Sequence, residues 1–124
     1  MKRTLLVTLA LACAAAPGFA HAQRIAPMKA GNFARLCTRA TSAGICDAYI
    51  GGLTDGVSLS KINDRNEGDP SAPAGFCVPT TETMPVMRSK VLAWLKAHSE
   101  TLDKPVGESV FAALHASYPC SVKK

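Results

Sequence analysis

What the chain has little of narrows it first. Aromatic residues are few: one Trp, two Tyr and four Phe. No stretch sustains the apolar–polar alternation of a half-buried strand, so no β-sheet is expected. Basic residues are scattered (Arg35, Arg39, Lys61, Arg65, Arg88, Lys90) and never alternate with aromatics. That pattern excludes a nucleic-acid-binding protein. There is no C-x-x-C and no Cys/His pair at ligand spacing, so zinc, haem attachment and thioredoxin-type redox chemistry are excluded, and no metal or cofactor is expected. G-x-S-x-G is missing. The one glycine-rich stretch, Gly51-Gly52-Leu53-Thr54-Asp55-Gly56, lacks the lysine and the strand context of a phosphate loop. Beyond the N-terminal segment the histidines are His98 and His115, each late in a candidate helix and each read as structural. No catalytic residue is expected, and the chain reads as a non-enzyme.

Long hydrophobic runs are missing too, apart from Leu5 to Ala16. Met1-Lys2-Arg3 precedes that run and Ala20-His21-Ala22 follows it, a short positive start and a small-x-small cleavage site. Residues 1–22 therefore read as a signal peptide, with the mature chain starting near Gln23. An anchoring first helix and lipidation at Cys13 are the alternatives. The run is short for a membrane span and no later stretch reaches spanning length, so no membrane association is expected after cleavage. Residues 23–124 suit a single domain exported to the periplasm. Removing Lys2 and Arg3 from 14 basic residues, against 9 acidic ones, leaves a net charge of about +3.

Four cysteines remain in that domain: Cys37, Cys46, Cys77 and Cys120. Export places them where disulfides form and persist. Four helices are expected around them. The first runs from Gly31 to Arg39, capped by Asn32, with Phe33, Leu36 and Cys37 on one face. The second runs from Ala43 to Ile62, with Ile45, Tyr49, Gly52, Leu53, Gly56, Leu59 and Ile62 as its stripe. Gly52 and Gly56 would let another helix come close, unless the glycines split the segment. The third, Met84 to His98, is capped by Thr83 and buries Met84, Met87, Val91, Trp94, Leu95 and His98. The fourth, Pro105 to Ser117, begins on a proline and stops before Pro119. The fold class is all-α, a compact bundle of four to five helices.

Helix ends weight the cysteine pairing. Cys37 and Cys46 flank one hairpin bend. Cys77 precedes helix three and Cys120 follows helix four, and in an antiparallel pair those ends meet within the Cα reach of a disulfide. Cys37–Cys46 with Cys77–Cys120 is favoured, and Cys37–Cys120 with Cys46–Cys77 is the runner-up. Asn63 to Gly75 (NDRNEGDPSAPAG) reads as a loop that cannot hold a helix.

The ordered elements resemble the Rap/Tai family of type VI secretion immunity proteins. Phe33-Ala34-Arg35-Leu36-Cys37 is similar to its opening helix. Cys46-Asp47-Ala48-Tyr49-Ile50-Gly51-Gly52-Leu53-Thr54-Asp55-Gly56 is similar to its "C, then Y-x-x-G" segment. Phe76-Cys77-Val78-Pro79 matches "C-x-P". Val91 to Glu100 is similar to "V-x-x-[YW]-L-x-x-H-P-E", with Ser99 in place of the proline. Ala112-Ala113-Leu114 and Tyr118-Pro119-Cys120 resemble the closing "A-L…F-P-C". Val86 and Met87 stand where a glutamine is common.

The resemblance implies a small exported helical protein that neutralises a peptidoglycan amidase effector by occluding its active site. It also implies homodimers, with the glycine-bearing face of helix two as one contact surface. For the effector, Asp64, Arg65, Asn66, Glu67 and Asp69 in the polar loop are the candidate contacts. The other reading is a periplasmic helper such as an acid-stress chaperone, which would expose apolar surface on acidification.

Overall fold

The computed structural model of the protein describes residues 25–121. The expected signal peptide lies outside the described residues. Within them are four α-helices and no strand longer than a single bridge: α1 (Ala30–Cys37), α2 (Ala43–Asn66), α3 (Met84–Ala97) and α4 (Val106–Ser117). One short 3-10 turn precedes α2 and another follows α3. Helix α3 packs against the other three.

The third helix buries Met87, Val91 and Leu95 fully, while Met84, Trp94 and His98 are half-buried, as the spacing predicts. Helix α4 buries Val106, Val110, Ala113 and Leu114 against it. Phe33 and Cys37 of α1 and Cys46 and Ile50 of α2 complete the core. Buried hydroxyls are paired: Ser109 donates to the Thr101 carbonyl at 3.0 Å, and Thr101 donates to the His98 carbonyl at 2.8 Å.

Both favoured disulfides are present. Cys37–Cys46 spans 5.7 Å between Cα atoms and closes the bend between α1 and α2. Cys77–Cys120 spans 4.9 Å and ties the segment before α3 to the end of α4.

Three expectations need correction. Asn32 does not cap α1. The helix begins two residues earlier, and the orphan N–H groups of Ala30 and Gly31 donate to the carbonyls of Lys104 (3.0 Å) and Leu102 (2.9 Å). A distant backbone segment supplies what a side-chain cap would have supplied. Asn32 instead accepts from Arg35. Likewise Pro105 is the residue before α4 rather than its first, and Val106 N–H donates to the Met28 carbonyl at 2.8 Å. Residues 28–31 thus run zipped along 102–106.

The second correction concerns which side of α2 is buried. Ile45 and Leu59 are each 63% exposed and Ile62 is 48% exposed. Gly52 and Gly56 face open space, so no helix among the described residues closes on them. The core-facing stripe is Cys46, Ile50, Leu53 and Val57, with Tyr49 at its edge against Phe33.

Third, α2 does not end at Ile62. It continues unbroken through its glycines to Asn66, 24 residues and about 36 Å. Gly68, at φ +92°, then stops it. Its N–H donates to the Arg65 carbonyl and Asp69 N–H donates to the Asp64 carbonyl at 2.8 Å, the pair of bonds of a Schellman turn.

Candidate functional site

The five residues singled out in the polar segment fall together, on different local structure from the loop expected. Asp64, Arg65 and Asn66 form the last turn of α2, Glu67 is its C-cap, and Asp69 follows the Gly68 turn. All are exposed except Asp64, which is half-buried. They crown the end of a helix whose buried residues, Cys46 and Ile50, lie in its first half.

Past this turn the chain folds back along α2. Lys61 holds it there, its ammonium donating to the carbonyls of Pro70 (2.8 Å) and Ala72. Ser71 donates to the Asp69 carboxylate at 2.8 Å. That bond, helped by the N–H groups of Ala72 and Ser71 and by the Lys61 charge, keeps the Asp69 carboxyl below the usual aspartate value. Among the described residues Glu67 has no side-chain hydrogen bond or ion pair. The tip therefore offers carboxylates, a guanidinium and an amide on a turn fixed by its own backbone.

The return strand is anchored firmly at its far end. Phe76 is buried and meets Phe111 edge-on at 5.4 Å. Cys77 N–H donates to the Tyr118 carbonyl at 2.8 Å, beside the Cys77–Cys120 bond. His115 Nδ1 contacts the Gly75 carbonyl. A Cβ on Gly75 would lie 2.6 Å from Cε2 of Phe111, so the absence of a side chain lets the ring close over the strand. Next along the chain, Glu82 accepts from Lys90 (2.8 Å) and from the Tyr118 hydroxyl (3.0 Å), with Lys90 lying 4.4 Å from the centre of the Tyr118 ring. The bond from Lys90, then the one from Tyr118, holds the Glu82 carboxyl below its usual range. Burial, reinforced by Glu82, raises the Tyr118 phenol.

The histidines stand apart. His98 stacks on Trp94 at 3.9 Å and its Nδ1 bonds the Trp94 carbonyl, while His115 serves the Gly75 strand. Asp47 is paired with Arg88. Among the described residues no three His, Cys, Asp or Glu side chains gather as a metal site would require. No described helix is long and apolar enough to cross a membrane.

Sequence reasoning missed Lys61 and Gly68. Gly68 was legible: Asn-Glu-Gly-Asp after a helical stretch is a C-terminal stop. Nothing in the sequence marks Lys61, because its partners are backbone carbonyls nine and eleven residues on.

The described residues form a small helical body stapled by two disulfides, with a polar tip at the end of α2. Residues 29–120 match the family model of the Rap1a immunity proteins, and the chain belongs to that family. The match takes in all four helices and both disulfides. Family membership makes this an immunity protein, with an effector as its partner. Comparison with curated proteins and with solved structures found no match.

Proposed function

We propose that this is an exported, periplasmic protein that neutralises a type VI secretion effector, a peptidoglycan amidase, by occupying its active-site cleft. The match to the Rap1a immunity proteins carries the reading. Two disulfides suit an oxidising compartment. The signal peptide is cut before Gln23 or close to it. Neutralisation is stoichiometric and needs no chemistry from this chain.

The tip formed by Asp64, Arg65, Asn66, Glu67 and Asp69 is the element that enters the cleft. Its turn is preformed and its return strand is tied to the body, so little ordering entropy is lost on docking. The outward face of α2, with Ile45, Gly52, Gly56 and Leu59, is the contact between two copies in a homodimer. The glycines lie open there, as a close helix approach requires.

The test is periplasmic production of a secreted Cys/His hydrolase encoded beside this chain, with and without the chain. Protection at equimolar levels is expected. Combined replacement of Asp64, Arg65, Glu67 and Asp69 by Ala abolishes protection while leaving the melting temperature near that of the parent. Equal lysis with and without the unaltered chain overturns the reading.

A further inference from the structure

Helices α1 and α3 do not close completely on each other. Between them lies a groove of about 380 Å³. Its walls are Ala34 of α1, Leu92 and Leu95 of α3, and Leu102 from the turn after α3. Its charged lining residues are Arg35 and Lys96, and no carboxylate lines it. Neither cation takes part in an ion pair among the described residues; Arg35 only donates to Asn32. The groove lies apart from the 64–69 tip, and the proposed neutralisation makes no use of it.

We propose that this groove binds a single-chain anionic amphiphile, an alkyl carboxylate of medium length. Shape and charge choose that occupant. A stable protein interface needs roughly 800 Å² from each partner, whereas this groove extends over little more than one turn of each helix. At roughly 30 Å³ per methylene-sized group, the volume of a water in the liquid, it takes about a dozen such groups. Arg35 and Lys96 then meet the carboxylate while the chain lies against Leu92, Leu95 and Leu102. A cationic head would face two like charges.

The experiment uses the mature chain with both disulfides oxidised. Octanoate, decanoate and dodecanoate are titrated below their micellar concentrations and followed by amide chemical shifts. Shifts should centre on Ala34, Leu92 and Leu102. Affinity should rise roughly fourfold for each added methylene that the groove covers. Arg35→Glu with Lys96→Glu should weaken decanoate at least tenfold, and Ala93→Phe, on the groove wall, should block it. Dodecyltrimethylammonium that binds as well as dodecanoate would overturn the assignment. So would shifts centred on Ile45 and Leu59 of α2, or an affinity indifferent to chain length. The unaltered chain decides the first, second and third of these, so the result does not depend on a variant folding.

Discussion

Helix α4 and the last three turns of α2 are of similar length and lead opposite lives. α4 buries Val106, Ser109, Val110, Ala113 and Leu114. After Ile50, α2 buries nothing fully, and Leu59 and Ile62 face outward. One helix is fixed by the core it helps to make. The other is fixed by backbone bonds at its end, a lysine clamp and a distant disulfide. On the proposed reading, stability and recognition are carried by different parts of the molecule, and substitutions can separate them.

The widest separation lies in the disulfides. Replacing Cys77 and Cys120 by Ser opens a bridge with a sequence separation of 43. In the loop-entropy account this costs about 4 kcal/mol, against about 2.5 kcal/mol for Cys37 and Cys46, separated by 9. Denaturant midpoints of the two double variants give the order directly. A larger loss from the short bridge would mean that the α1–α2 bend, rather than the α4 strap, holds the body together.

Leucines probe the same contrast in side chains. Leu114→Ala empties a fully buried site in α4 and should cost about 2–5 kcal/mol. Leu59→Ala, 63% exposed on α2, should stay within about 0.5 kcal/mol. If α2 pairs with a second copy, Leu59→Ala would instead lower the midpoint by an amount that grows with the logarithm of protein concentration. Dilution series of both variants separate packing within one chain from packing between two.

Acid tests the strap by another route. The folded Glu82 carboxyl sits below its ordinary value. Its contribution is therefore present above that ordinary value and is lost as pH falls through the folded one. Glu82→Gln should flatten the acid limb of the stability curve, lowering stability modestly at neutral pH and converging on the parent in acid. The effect should be smaller than the leucine loss, because the pair lies at the surface. An unchanged acid limb would show that Lys90 and Tyr118 do not depend on this carboxylate.

How much of this was legible follows from where each interaction is encoded. The helices and the cysteine pairing were readable because Cys37, Cys46, Cys77 and Cys120 flank helix ends. The side-chain cap of α1 was not, because its N–H groups are satisfied by carbonyls 102 and 104. α2 carries apolar residues at helical spacing on two faces, and periodicity alone cannot rank them. The cysteine could have done so. Once Cys46 must face Cys37, Ile50, Leu53 and Val57 follow at four, seven and eleven residues and are turned inward, and Ile45 and Leu59 are turned out. The candidate contact residues were found as a cluster, yet their shape depends on Gly68 and Lys61, and only Gly68 announces itself.

Lys61 therefore gives the finest test of the comparison. Its ammonium bonds two carbonyls of the returning segment from a half-buried position outside the core, so Lys61→Met should move global stability by no more than about 1 kcal/mol. Locally the consequence is larger. Pro70 and Ala72 lose their shared donor, and amide exchange at Ser71, Ala72 and Ala74 should speed up while α4 amides are unchanged. Lys61→Arg retains a charged donor and should restore part of the protection. Against the effector, the Met variant should associate more slowly with little change in its final contacts, because the tip must be reordered on docking. Faster exchange throughout α4 would show that arm and body form one cooperative unit, and the division of labour between the two helices would then fail.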